Sequence, residues 1–212
     1  MKHLYILATL FAILSLTFIC TSGALMAQEK TGSIIIDSAM TLAEAVKGSA
    51  APKRILDSLC IIDVRYYSFD GHLHQGQLVI HRKVRKEVQD LFKTIERTRF
   101  PVGKVIPIIR YGWSDEASMA DNNTSAFNYR LIEGTSRLSR HALGKAVDIN
   151  PRLNPVLYKD GSVQPAGAVY DRRQPGAVHG RHAVVKSFLA HGWTWGGHFK
   201  SLKDYHHFEK PD

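Results

Sequence analysis

A histidine and an aspartate stand seven positions apart in the segment SRHALGKAVDINP, residues 139–151. Gly144 lies between His141 and Asp148, and an Asn-Pro pair closes the segment, so a helix running through it is disfavoured. A loop that leads into a short strand at 146–149 fits this composition better. Such a turn can aim both side chains at one point, and coordination of a metal ion is the usual reason for that arrangement.

A second group of metal-ligating residues lies near the C-terminus, in the segment DYHHFE at 204–209. Asp204 precedes His207 by three positions, so the two segments together offer a His/Asp/His set and a spare carboxylate. Three protein ligands with an open fourth position are typical of a catalytic zinc ion. The spare carboxylate can take the proton of the attacking water and pass it to the leaving amine.

The spacing in the second segment leaves the convergence of these side chains open. Neighbouring residues of an extended chain point to opposite faces, so only one of His206 and His207 can face the metal. By the same geometry Asp204 and His207 also face oppositely unless a turn intervenes.

Two ordered motifs resemble the signature of the D-alanyl-D-alanine carboxypeptidase family of zinc peptidases. Residues 139–148 match its pattern S-x-H-x-x-G-x-A-x-D, and Asp204-x-x-His207 matches an acid three positions before the last histidine ligand. The second motif has Asp as its acid, and in this it is similar to the endolysin branch of the family, which cuts L-Ala–D-Glu bonds. The segment GWTWGG before the second motif and the segment SMADNNTSAFNYR before the first are similar to that branch as well. The resemblance covers roughly residues 54–210.

This resemblance implies roles for particular residues. It implies that Zn²⁺ is bound by His141, Asp148 and His207, and that Asp204 is the general base. Arg130 is the candidate to hold a substrate carboxylate or to stabilise the oxyanion, because a guanidinium pairs well with both. Better-known members place this arginine further upstream, so a different role for Arg130 stays open.

The remaining candidates near the site have structural alternatives. Ser139 and Trp195 are expected to shape the site and contact substrate, Ser139 through a hydrogen bond near the zinc ligands. The alternative for Trp195, the more common role of such a residue, is a core aromatic, and the alternative for Arg130 is a surface ion pair. His206 is interpreted as a neighbour of the ligands, and Glu209 as structural.

Strands and helices are mixed without a βαβ rhythm, so the sequence predicts an α+β fold. The family resemblance adds a small antiparallel sheet with flanking helices, of the hedgehog/DD-peptidase type. Strands are predicted at 61–69, 77–81 and 105–110, and helices at 84–97 and 181–191. Residues 111–138 and 151–180 are predicted as loops, and a loop as long as the second is usually functional.

The first 27 residues have the layout of a secretory signal peptide. A short polar start precedes an apolar run of 16 residues at 4–19, shorter than the roughly 20 that a spanning helix needs. Lipid attachment through Cys20 is disfavoured because the bulky Ile19 precedes it. The predicted organisation is therefore a signal peptide at 1–27, an N-terminal extension at 28–53 and a zinc metallopeptidase domain at 54–212.

Charge and cysteine content narrow the class of protein. Loss of residues 1–27 removes one lysine and no acid, so the net charge falls from +9 to +8. This charge suits an anionic partner such as a cell wall, although simple solubility explains it equally well. The sequence contains no Lys/Arg run and no alternation of basic and aromatic residues that would indicate nucleic-acid binding. Cys60 is the one cysteine beyond the leader, which excludes an intramolecular disulfide and a Cys-rich zinc site.

Together these features predict an exported zinc peptidase, periplasmic or secreted, that cleaves peptidoglycan stem peptides. It would act on peptidoglycan or its muropeptides as a D,D- or L,D-carboxypeptidase or endopeptidase, as a monomer and without stable membrane insertion. Two alternatives stay open. One is a non-catalytic zinc-containing module that binds the wall, against which the spare carboxylate of Asp204 argues. The other is an exported dipeptidase.

Overall fold

The computed structural model describes residues 33–212, so the predicted signal peptide and Cys20 lie outside the described residues. The strands are β1 Ile35–Ile36, β2 Leu59–Tyr67, β3 Leu73–His81, β4 Lys104–Val105, β5 Asn123–Thr124, β6 Ala146–Asp148, β7 Val156–Leu157, β8 Val163–Gln164, β9 Thr194–Trp195, β10 Lys203–Asp204 and β11 His207–Glu209. The α-helices are α1 Leu42–Ala45, α2 Lys53–Leu56, α3 Arg85–Arg97, α4 Asp115–Ala120 and α5 Ala183–Ala190. Single 3₁₀ turns lie at Arg82–Val84, Ile108–Tyr111, His141–Leu143 and Gly196–His198.

The predicted α+β class is confirmed, but the strands of residues 33–212 form four small sheets rather than one. Their orders are β1-β3-β2, β10-β7-β8, β6-β11-β9 and β4-β5. The β6-β11-β9 sheet is antiparallel throughout, whereas β1 pairs with β3 and β4 with β5 in parallel. None of the helices in the described part of the chain is long and apolar enough to cross a membrane.

One hydrophobic core joins the β2-β3 hairpin to the strands that carry the candidate site. The predicted apolar face of α3 is buried, with Leu91 and Phe92 packed toward the hairpin and α5. Val147 of β6 and Phe208 of β11 belong to the same core, and the Phe208 ring stacks on Phe188 with centroids 4.0 Å apart. Because burying each such side chain contributes about 1.5–3 kcal/mol, this core holds the site strands firmly.

Two local predictions between β3 and β6 are wrong. Of the expected strand at 105–110 only Val105 lies in a strand, β4, because Pro107 offers no N–H and the chain turns into a 3₁₀ helix. The expected loop at 111–138 contains the helix α4, whose first turn is capped by Ser114 Oγ accepting from the Ala117 N–H. It also contains β5.

The described part of the predicted N-terminal extension packs on the β2-β3 hairpin. β1 adds a parallel strand beside β3, and the Asp37 carboxylate accepts from the Tyr66 hydroxyl. His74 lies between two carboxylates, with Nδ1 3.0 Å from Asp37 Oδ2 and Nε2 3.0 Å from Asp70 Oδ2. This cluster fixes residues 33–38 against the domain.

We expect the attachment of residues 33–38 to weaken as the pH rises. Burial alone would lower the pKa of His74, but its bonds to Asp70 and Asp37 raise it above the ordinary value of 6.5. The stabilisation is therefore complete below that ordinary value and is lost as the pH rises through the raised one. The urea midpoint of the protein should fall from pH 6 to pH 9, and that of His74→Gln should fall less. An equal fall in both proteins would contradict the assignment.

Candidate metal centre

Two paired strands and one tight turn carry the three predicted metal ligands. Asp148 ends β6 and His207 begins β11, and the antiparallel register places them directly opposite each other. His141 opens the 3₁₀ turn that leads into β6. Residues 59 and 66 positions apart in the chain therefore meet at one point, which the sequence motifs alone could not establish.

The turn around His141 is held by its neighbours. Ser139 Oγ accepts from the backbone N–H of His141 at 3.2 Å. Gly144 ends the turn with φ of 64°, in the left-handed region that favours glycine. A Cβ there would lie 2.6 Å from the His81 nitrogen, so glycine lets the turn press against the β2-β3 hairpin.

The three ligand side chains converge at the centre of this arrangement. His141 Nε2 lies 3.1 Å from Asp148 Oδ2, and His207 Nδ1 lies 3.0 Å from Asp148 Oδ1. The two ring nitrogens are 3.1 Å apart. All three residues are buried, and within residues 33–212 they form the one group of three or more His, Cys, Asp or Glu residues able to hold a metal ion.

The outer nitrogen of each histidine ligand is also engaged. His141 Nδ1 donates to the Ala126 carbonyl, which leaves Nε2 with a lone pair aimed at the centre. His207 Nε2 lies 3.1 Å from Glu209 Oε2, two residues on along β11. Partners of this kind fix the tautomer and orientation of metal-binding imidazoles.

The electrostatics of the cluster favour a cation. Burial would raise the pKa of Asp148, but the neighbouring His141 and His206 hold it well below its usual range. Burial would lower the pKa of His207, yet hydrogen bonds to Asp148 and Glu209 raise it to about 10. The buried carboxylate thus needs a positive charge beside it, which a proton or a metal ion can supply.

Asp204 lies beside this cluster, because a bend at Tyr205 and His206 separates β10 from β11. His206 Nδ1 donates to the Asn154 carbonyl at 2.8 Å, and its Nε2 lies 3.9 Å from Asp148 Oδ2. The same Nε2 lies 3.1 Å from Asp204 Oδ1, but without hydrogen-bond geometry. This buried carboxylate oxygen therefore has no hydrogen-bond partner among the described residues.

A cavity of about 260 Å³ opens beside Asp204 and His206, and Arg130 also lines it. The Arg130 guanidinium forms an ion pair with Asp115, with Nη2 2.9 Å from Oδ2. The surface ion pair considered as an alternative role for Arg130 is therefore present at the Nη2 end of its side chain. Its buried Nε has no hydrogen-bond partner within the described chain. Arg130 thus lines the cavity, is anchored by Asp115, and has a buried Nε–H without a hydrogen-bond partner among the described residues.

Trp195 lies in the hydrophobic core, and it is not among the residues that line this cavity. Its Nε1 donates to the Tyr205 carbonyl at 2.9 Å, which holds the bend between Asp204 and His207. This placement favours the core alternative over direct contact with substrate. Ser139 is buried, and its contact with the His141 backbone fits a supporting role.

The contacts by which several residues support the site were not predicted from the sequence. Glu209 carries a signal, since a carboxylate two residues after a strand histidine lies on the same face. Gly196 has no signal that a single sequence reveals. A Cβ at this position would lie 2.4 Å from the Asp204 carbonyl oxygen, so glycine allows β10 to approach the backbone at residue 196. Asp115 and Asn154, which hold Arg130 and His206, come from distant segments.

The Glu209→Gln variant should bind its metal ion about 10–100-fold more weakly than the unchanged protein, as is usual for such outer partners. The neutral amide supports the His207 ring less well than the carboxylate does. Competition with a chelating dye measures the affinity, and Glu116→Gln, an exposed acid on α4, is the matched control. Equal affinity in Glu209→Gln and Glu116→Gln would contradict this role.

Comparison with known proteins agrees with the geometry. No curated protein and no solved structure matches the chain significantly. Residues 133–210 match the family model described as D-alanyl-D-alanine carboxypeptidase, and this range contains all three residues of the His141–Asp148–His207 cluster and Asp204. The match confirms, over this part of the chain, the resemblance predicted from the two motifs.

Proposed function

We propose that the protein is an exported zinc-dependent peptidase that cleaves peptidoglycan stem peptides. The observation that carries the proposal is the position of Asp204. The residue lies beside the convergent ligand cluster and lines a cavity, and one of its carboxylate oxygens is buried without a hydrogen-bond partner among the described residues. A purely structural metal site gains nothing from such a carboxylate, so this observation argues against the wall-binding alternative.

The donor set supports zinc as the metal. Two imidazole nitrogens and one carboxylate are ligands that zinc accepts, and three protein ligands leave a fourth position open for chemistry. When bound, such an ion supplies a water that is nucleophilic near neutral pH and polarises the scissile carbonyl. The histidines must be unprotonated at their ligating atoms, and the bonded outer nitrogens favour that tautomer.

Asp204 is proposed to move the proton in the reaction. Its free carboxylate oxygen takes a proton from the attacking water and delivers it to the nitrogen of the leaving amine. The water oxygen joins the carbonyl carbon as the C–N bond breaks, so one peptide bond becomes a carboxylate and an amine. His206, 3.1 Å away, limits the orientations that the Asp204 carboxylate can adopt.

Arg130 is proposed to orient the substrate. Its Nε–H can donate to the terminal carboxylate of a peptide or to the oxygen that becomes negative in the transition state. The ion pair with Asp115 keeps the guanidinium from turning away. Because the cavity holds other acids, including Glu133, an arginine anchored in this way is needed to admit an anionic group.

The size of the cavity favours a short stretch of peptide. Its volume of about 260 Å³ lies just below the usual range of ligand cavities, about 300 to 1,000 Å³. That size suits the end of a stem peptide, and it also supports an exported dipeptidase as the second candidate.

The test is digestion of purified muropeptides by residues 28–212, read by mass spectrometry with added zinc or with chelator. Zinc-dependent loss of a defined fragment is expected, and its mass identifies the bond that is cut. Free D-Ala-D-Ala and L-Ala-D-Glu dipeptides serve as parallel substrates. Cleavage of these dipeptides alone would favour the dipeptidase, whereas metal binding without any cleavage would refute the peptidase proposal.

A further inference from the structure

A second cavity, of about 360 Å³, lies between the end of α3 and the start of α5. It shares no lining residue with the cavity beside Asp204. Three arginines and one histidine line it, and no carboxylate does: Arg99, Arg172, Arg173 and His182. A concave site with cations on several sides and no lining acid is suited to an anion.

Arg99 is held at this cavity without being neutralised. Its guanidinium carbon lies 4.5 Å from the centroid of the Tyr67 ring, a cation–π contact that fixes the group but leaves its charge. Among the residues that the structure describes, no carboxylate forms an ion pair with it. Arg99 also follows the C-cap of α3 with φ of 50°, at a position where glycine is the usual residue.

The other two arginines differ in their pairing. Arg173 is bound by Asp171 through two contacts of 3.0 Å, so its charge is compensated. Arg172 is exposed and has no carboxylate partner within residues 33–212. Arg99 and Arg172 therefore bring to the cavity two positive charges that form no ion pair within residues 33–212.

The start of α5 adds donors to the same cavity. His182 Nδ1 accepts from the Val184 N–H at 3.2 Å, so an uncharged ring carries its hydrogen on Nε2. The ring packs edge-on against Phe100, with centroids 4.9 Å apart, which orients it. The N-terminus of a helix also carries a partial positive charge that favours anions.

We propose that this cavity binds a phosphate group, carried either by a soluble phosphate ester or by an anionic lipid headgroup. The cationic groups come from two segments, near residues 99 and 172, and the N–H donors of His182 and the start of α5 come from a third. A carboxylate presents two oxygens in one plane, whereas a phosphate presents several in different directions and can accept from all three segments. Guanidinium groups pair readily with such oxygens. The inference does not depend on the peptidase activity.

Titration with glycerol 3-phosphate, followed by ¹⁵N chemical shifts, tests the inference. Saturable shifts are expected at residues 98–101 and 172–183, separate from any shifts around His141 that would report binding at the metal. The Arg99→Gln/Arg172→Gln variant should bind at least tenfold more weakly. The Arg54→Gln/Lys159→Gln variant removes two exposed charges elsewhere and should bind as the unchanged protein does.

Vesicles distinguish the two sources of phosphate. Retention on phosphatidylglycerol vesicles, lost in Arg99→Gln/Arg172→Gln, would identify a lipid headgroup. Shifts with glycerol 3-phosphate and no retention would identify a soluble ester. The inference is overturned by unsaturable binding of both probes, or by equal binding in the two double variants.

Arg99→Gly separates loss of binding from loss of folding. Glycine suits the left-handed position at the end of α3 better than arginine does, so this variant should melt at a higher temperature. It should nevertheless lose affinity for glycerol 3-phosphate at least fivefold. A variant that melts higher and binds as tightly as the unchanged protein would overturn the role of Arg99.

Discussion

Replacement of Asp204 by alanine is expected to lower the rate of muropeptide cleavage by about 10²–10⁴-fold, the usual contribution of a general acid–base residue. The reason is that Asp204 offers a buried carboxylate oxygen beside the ligand cluster that has no hydrogen-bond partner within the described residues. Zinc binding should persist, because none of the three ligand atoms belongs to Asp204. Cleavage rates and zinc content measured on the same preparation check both parts.

Asp204→Asn sharpens this test because it keeps the shape of the side chain while removing its ability to accept the proton. It should be as slow as Asp204→Ala. Asp57→Ala, at an exposed acid on the far end of α2, should keep the rate of the unchanged protein. Near-normal cleavage by Asp204→Asn would show that another group, with His206 the nearest, moves the proton.

The ligands of the candidate site were predictable because they lie in two motifs of fixed spacing. Their convergence was not, since the spacing within DYHHFE allows Asp204 and His207 to face apart. The bend at 205–206 and the β6-β11 register resolve this, and both depend on residues elsewhere in the chain. The Trp195 indole holds the bend through the Tyr205 carbonyl, and Gly196 makes room for β10.

Outside the motifs, secondary structure was predicted correctly where the periodic spacing of apolar residues extended over many positions. The helix α3 has 13 residues, and its apolar spacing identified it almost to the residue. The helix α4 has six, too few for a periodic signal, and its formation rests on the Ser114 cap and on tertiary contacts. The packing of residues 33–38 was likewise hidden, because it depends on Asp37 reaching His74, 37 positions away.

Removal of the metal should lower stability without unfolding the protein. At free zinc one hundred times the dissociation constant, binding adds about 2.7 kcal/mol to the free energy of unfolding. For a domain of this size that corresponds to roughly 5–10 °C in melting temperature. The metal-free protein should remain folded, because the core is hydrophobic and a protonated His207 can offset the charge of Asp148.

Scanning calorimetry with zinc and with chelator measures this difference, and His207→Ala should abolish it because only two ligands remain. His72→Ala, at an exposed histidine in the β2-β3 turn, should keep the full zinc-dependent increase. A melting temperature of the unchanged protein that is insensitive to both zinc and chelator would mean that the His141–Asp148–His207 cluster holds only protons. Such a result would remove the basis for a metallopeptidase, since no other such metal-ligand cluster exists within residues 33–212.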